Sequence, residues 1–249
     1  MLYIEKGEMP SKMKTAVSVI KSSDAWKNIK PGDTKAVRAC FELLPKNEIR
    51  SSLIQEQKGL CAYCMRKLMN DGKHTSVEHW FPLSKDQELA LSYGNMLGVC
   101  DGGKLWKGEG DRVLSCDAKK GADEFTTINP YNRNHMSKIA YKSDGTIYTE
   151  PFDKTLEDDI NIKLGLNGKL DSRGRMISDT ATEIVRGRRD AFELCKRFFR
   201  NLDKAGKCTS SMIEKRIKEI KNAEFMPEYA GVILFVLEKK YNQLKARGL

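Results

Sequence analysis

The sequence predicts an α+β chain, mainly helical, wrapped around a small loop-rich core where candidate metal-binding cysteines gather. Three observations lead there. Helical periodicity recurs across residues 34–58 and again over the last quarter of the chain. Residues 61–121 between them are rich in glycine and carry only short extended pieces. That stretch also holds four of the seven cysteines, opening on "CAYC".

The elements follow in order. "TKAVRACFELLPKNEIRSSLIQEQK" at 34–58 reads as two helices broken near Pro45, the second ending at Gly59 as a C-cap. "SKIAYKSDGTIYTE" at 137–150 alternates around Ser-Asp-Gly-Thr and predicts a β-hairpin. Residues 175–249 read as three amphipathic helices with breaks near Gly206 and Pro227. The expected organisation is an N-terminal helical segment (1–52), a core (53–133), and a hairpin with basic helices (134–249).

Composition narrows the setting. The 249 residues suffice for one large domain or two small ones. The start, "MLYIEKGEMPSKMK", has no apolar signal-peptide region, and the longest apolar run, "AGVILFVL", is too short to span a bilayer. With an odd cysteine count, these features point to the reducing cytoplasm, where spaced cysteines serve as metal ligands more often than as disulfides. Lys and Arg outnumber Asp and Glu by 44 to 34, which suits a polyanionic partner. From Arg186 onward sixteen basic residues face eight acidic ones, so this region is the candidate surface for a protein partner or a nucleic-acid backbone.

A structural zinc site wants four soft ligands in a tetrahedron. Cys61 and Cys64 form one short pair; the second half would have to be Cys100 and Cys116, with the Gly-rich "DGGKLWKGEGDRVLS" looped out between them. The alternative is a chance Cys-x-x-Cys turn with unpaired buried thiols elsewhere. Cys40, Cys195 and Cys208 lie apart and read as small core or surface residues. Between the two cysteine halves, "VEHWFP" sets His79 directly after Glu78, a base beside a hard-metal ligand. Asn95 follows sixteen residues later, and Asp117 comes directly after Cys116, before Ala-Lys-Lys-Gly. Lys119 and Lys120, near a helix start, are candidates for phosphate contacts or for an ordinary solvated face. Trp80 and Phe81 read as packing, His74 as an exposed turn residue, and His135 as a scaffold hydrogen-bonder.

This order of Cys-x-x-Cys, Glu-His, Asn, Cys and Cys-Asp-x-Lys-Lys-Gly resembles the HNH endonucleases with a ββα-metal fold, over roughly residues 53–121. A wider resemblance runs through "YIEKGEMPSKM", "VEHWFPLS", "CDAKKGADEFTTINPYN", "SDGTIY" and "LGLNGKLDSRGR". It is to the HNH partner nucleases of Septu-type anti-phage systems, found also with retrons, which act beside an ATPase of the ABC/SMC-like class. The resemblance implies that His79 is the general base and that Asn95 orients the loop around it. It implies that Glu78 and Asp117 hold a catalytic Mg²⁺ or Mn²⁺, although many family members have Asp and Asn or His at those positions. Structural zinc would sit on Cys61, Cys64, Cys100 and Cys116, with DNA as substrate. The alternatives are a non-catalytic zinc-knuckle binding module and an RNA-cleaving toxin of the same fold.

Overall fold

The chain folds as a mainly helical body with three separate two-stranded antiparallel sheets, seen in a computed structural model that describes residues 1–109 and 112–248. Two positions of the Gly-rich loop, Gly110 and Asp111, lie outside the described residues. The N-terminal part is α1 (Ser11–Ser22), α2 (Asp24–Lys27), α3 (Thr34–Glu42) and α4 (Lys46–Glu56). Asp33 caps α3 through the Ala36 amide. After α4, Lys58 and Gly59 both take left-handed backbone, and the Gly59 amide returns to the Ile54 carbonyl, the expected C-terminal stop.

A hairpin of β1 (Thr75–His79) and β2 (Met96–Cys100) follows, with α5 (Gln87–Ala90) and a 3₁₀ turn at Tyr93–Asn95 in its long connection. Its register sets His79 opposite Met96 and Glu78 opposite Leu97. The short helix α6 (Cys116–Lys120) comes next, then α7 (Arg133–Ser137). Strand β2 is tied down by Gln57, whose side-chain amide donates to the Gly98 carbonyl and accepts from its N–H, both at 2.7 Å. The Ala62 amide also donates to the Gly98 carbonyl, so the Cys61–Cys64 turn is fastened to the same strand.

The predicted hairpin is β3 (Ile139–Tyr141) with β4 (Ile147–Thr149). Its turn requires Gly145, which has φ +92° and would collide with the Val185 carbonyl if it carried a Cβ. Beyond α8 (Lys154–Asp158) and one π-helical turn (Asp159–Lys163), the structure departs from expectation. "KLDSRGRMIS" forms a further hairpin, β5 (Lys169–Leu170) and β6 (Met176–Ser178), so the helical region starts at Ile184 rather than at 175. The three C-terminal helices are α9 (Ile184–Lys204), α10 (Ser210–Asn222) and α11 (Ala230–Ala246). No helix among the described residues is long and apolar enough to cross a membrane.

One large apolar cluster joins Met1 and Ile4, the Cys61–Cys64 turn, the β3–β4 hairpin and the C-terminal helices; a second packs α1, α3 and α4 against Leu91, Tyr93 and Met96. Two buried charges lock the loops. The Asp159 carboxylate accepts the amides of Thr126, Thr127 and Ile128. Arg188, 1 % exposed on α9, donates to the carbonyls of Gly145 (2.6 Å) and Leu166 (2.7 Å) and to Asn167 Oδ1. Arg188→Ala strands these acceptors and opens a void, so it should lower unfolding stability by about 3 kcal/mol. A denaturant midpoint unchanged from wild type would show that water replaces the guanidinium at no cost.

Candidate functional site

The four cysteines expected to act together do meet. Cys61 and Cys64 sit in a tight turn in which the Cys61 amide donates to Arg66 O, the Met65 amide returns to Cys61 O, and Met65 adopts φ +65°. Cys100 ends β2, and Cys116 opens α6 with φ +55°. All four are buried, and their sulfurs lie within 4.8 Å of one another. The Cys64–Cys100 separation is 3.6 Å, and Cys61–Cys116 and Cys100–Cys116 are both 3.9 Å. Tetrahedral Zn–S bonds of about 2.3 Å require S···S edges of roughly 3.8 Å, and a disulfide would need about 2.05 Å. The tetrad therefore has the spacing of a zinc site, and the Cys100 amide adds a contact to Cys61 Sγ at 3.4 Å. Burial opposes ionising Cys61, yet contacts from Cys100, Cys116 and Cys64 outweigh it and hold that thiol well below its ordinary range. Sulfur contacts and burial push Cys116 well up, and burial first of all does the same to Cys64. A bound cation would let these thiols ionise together. These cysteines could hold a metal ion such as zinc, and they are the one such group of three or more potential ligands among the described residues.

Beside this clamp, Glu78 and His79 end β1 and Asp117 lies on α6; all three line one cleft of 670 Å³. Burial and then the Asp117 carboxylate push Glu78 up to about 8, against the pull of Lys120. Asp117 moves the other way. Burial raises it, but a hydrogen bond with Glu78 and the ammonium of Lys104, 3.0 Å away, hold it below the usual carboxylate range. Two carboxylates sharing one site release their first proton readily and their second reluctantly, and a cation between them would relieve the repulsion. A donor set of two carboxylates fits Mg²⁺ or Mn²⁺, which take the remaining ligands from water and phosphate.

His79 is 5 % exposed. Its Nε2 lies 2.9 Å from the Ala90 carbonyl, which fixes the proton there and leaves Nδ1 as the basic nitrogen. Burial, more than the cations of Lys46, Arg38 and Lys120, pulls the imidazole down to about 4, so it is neutral near pH 7. Its ring meets Phe41 of α3 in a tilted edge-type contact with 4.5 Å between centroids, a contact that nothing in the sequence signals.

Asn95 is bonded to neither His79 nor the carboxylates. Its Oδ1 accepts the Phe81 amide at 2.8 Å, while Nδ2 donates to Phe81 O (2.8 Å) and Leu89 O (3.2 Å), closing the loop that carries Ala90. Asn95→Ala leaves three backbone groups short of a partner, and Asn95→Asp faces a carboxylate with two carbonyls. Both variants should lose on the order of 1–3 kcal/mol, with no rescue by the closer shape of Asp. Thermal melts that set Asn95→Asp level with wild type would contradict this role.

Lys120, expected as a candidate phosphate contact, is 3 % exposed. Its ammonium pairs with Glu78 Oε1 at 2.7 Å and reaches the His79 carbonyl at 3.2 Å. The spacing carries a signal for this: four residues after buried Cys116 on a helix, Lys120 falls on the inward face. Lys119 is exposed but lines a different groove, with Arg112 and Asn161. Trp80 packs on the large cluster and donates to Ile128 O; His74 bonds Asp71 in a turn; His135 lies beside Asn132. Sequence reading misses Lys104 on Asp117, Tyr63 at 3.4 Å from Glu78, and the cations Arg38, Lys46 and Arg50 along the cleft.

No family model matches the chain. Among curated proteins, it is similar to the Septu protein PtuB of Bacillus thuringiensis, 23 % identical over 161 residues. The matched region is 56 % of this chain and 63 % of that protein, so the likeness spans under two thirds of the relative's length and links this chain distantly to a Septu protein.

Proposed function

We propose that the chain is a metal-dependent HNH endonuclease that hydrolyses phosphodiester bonds in DNA. The observation that carries this reading is the convergence of Glu78, His79 and Asp117 in one cleft, on a β-hairpin and short helix pinned by four cysteines. A binding module needs the cysteines alone and has no use for a neutral buried imidazole beside a carboxylate pair. The similarity to a Septu protein supports a role in anti-phage defence; in this reading the chain is the effector and acts with an ATPase partner.

Glu78 and Asp117 would hold the Mg²⁺-type ion, and Asn95 and Ala90 keep the His79 loop and ring in place. His79 Nδ1 takes the proton from an attacking water. Lys120, its ammonium on Glu78 Oε1, holds that carboxyl in place beside Asp117. When bound, the metal ion supplies Lewis-acid stabilisation of charge on the phosphate and the leaving oxygen.

The test is incubation of the purified chain with plasmid DNA and with tRNA, in Mg²⁺ and in chelator, with and without the partner ATPase. Metal-dependent nicking of plasmid is expected. Cleavage of tRNA alone would move the reading to an RNA-cutting enzyme, and cleavage of neither would leave the binding module.

A further inference from the structure

Glu78 and Asp117 account for one kind of charge in the cleft; the other comes from the helical corner ahead of the hairpin. Thr34, Arg38 and Phe41 recur at helical spacing on α3, and all three line the cleft. On the neighbouring face Val37 packs with Leu83 and Ala90, which fixes α3 against the loop whose carbonyl holds His79. Lys46 opens α4. Its ammonium donates to the Phe41 carbonyl and sits 2.8 Å over the Phe41 ring centroid, and that ring packs on His79. The cations of this corner are thereby set relative to the imidazole.

Neighbouring acids do little to neutralise them. Among the described residues no carboxylate lies within ion-pair distance of Arg38, which is exposed. Lys46 has only the solvated Glu42 at 3.8 Å, and burial together with the nearby Arg38 outweighs that acid and brings the ammonium down to about 7. Arg50, the third cation of this wall, is already committed to the Thr75 carbonyl and Asn47. The Arg38 guanidinium and a Lys46 amine that a bound anion would keep protonated line one cleft, short of counter-charge and next to a neutral base, and match a ligand with anionic oxygens.

We propose that Arg38 and Lys46 form a phosphate-holding wall, gripping the nucleic-acid backbone on the side of His79 that Phe41 covers. This rests on the nuclease reading above. It adds that the helical corner outside the hairpin core supplies part of the active site, with an ion-holding acid pair and a phosphate-holding cation pair lining the same cleft.

Arg38→Gln and Lys46→Met remove the charges while keeping much of the length and, at Lys46, the apolar stem over Phe41. The probe is a fluorescent DNA duplex bound by the full chain in a His79→Gln background, titrated at several salt concentrations. Each lost phosphate contact should lower the log–log salt slope by about 0.9. Between about 50 and 200 mM salt the parent should therefore weaken roughly tenfold more than the double variant. With His79 intact, plasmid cleavage should fall at least tenfold for the pair. Lys154→Gln, an exposed cation of α8 paired with Asp158, should move neither readout. Arg38→Gln alone touches an exposed residue and serves if the double variant loses zinc or melts early. Wild-type cleavage with unchanged slope and rate in the Arg38 and Lys46 variants would overturn the phosphate wall and leave the nuclease reading standing. A wild type that neither binds nor cuts nucleic acid would overturn both.

Discussion

Cys64→Ser protein should bind no zinc and lose most of its folded population. Three sulfurs and a serine hydroxyl cannot reproduce a soft tetrahedral set, and apparent zinc-binding free energies in small structural sites run to about 10–16 kcal/mol. Whole-protein stability is typically about 5–15 kcal/mol, so no reserve elsewhere can absorb such a loss. The damage would spread well beyond the turn. The Tyr229 amide donates to the Met65 carbonyl, the Gly231 amide points at Met65 Sδ, and the Met226 amide meets Lys58 O, so α11 and the segment leading into it are moored to the Cys61–Cys64 turn and the residues just ahead of it. Cys61 and Cys64 also belong to the same apolar cluster as Val232, Leu234 and Cys195. Cys195→Ser is the matched control: it buries a hydroxyl in α9 but touches no proposed ligand, so it should keep one zinc per chain at a cost of about 1–3 kcal/mol. Elemental analysis and urea melts on both proteins decide the matter. A soluble, cooperatively folding Cys64→Ser chain, or a wild type with no zinc, would remove the metal from the account of this fold.

The elements legible in the sequence share a property: their information is local. Pro45, Gly59, the Ser-Asp-Gly-Thr turn, Gly206 and Pro227 are backbone punctuation, and the helices and hairpin between them follow side-chain periods of 3.6 and 2. The β5–β6 hairpin escapes because its strands are only two and three residues long and its side chains Met176 and Ile177 are both exposed. Such strands leave no burial alternation to read. The cysteines are legible as a set because zinc restricts ligand type and number. What a sequence does not display is which residue each side chain meets across space. Phe41 and His79 are 38 positions apart and share no motif; only packing of α3 on the His79 loop joins them. Lys120 is the intermediate case. Its place on α6 follows from the Cys116 spacing, but the partner it finds, Glu78, comes from a strand 42 residues earlier.

His79→Gln should cut single-turnover cleavage of DNA by on the order of 10²–10⁴ while leaving the protein folded and its DNA affinity intact. Water is a weak nucleophile, and the rate depends on a group that accepts its proton as the bond to phosphorus forms. A neutral imidazole with Nε2 committed to the Ala90 carbonyl offers Nδ1 for that purpose, and burial keeps it neutral until the pH falls to about 4. The choice of glutamine follows from the packing. His79→Ala deletes a buried ring from beside Phe41 and frees the Ala90 carbonyl, so its lost activity would mix missing chemistry with a disturbed loop. Glutamine fills more of that space, and its side-chain N–H can keep the bond to Ala90, but it has no basic nitrogen. Asp117→Asn provides the contrasting arm: it weakens the cation's hold without touching the base, so raising Mn²⁺ should recover part of its rate and none of the rate of His79→Gln. Both variants should retain the zinc content of the natural chain, since neither alters a cysteine. The measurement is the single-turnover rate at saturating enzyme, taken beside zinc content and melting temperature. Equal rates for wild type and a folded, zinc-loaded His79→Gln protein would show that this histidine is not the base, and the cleft would need another proton acceptor.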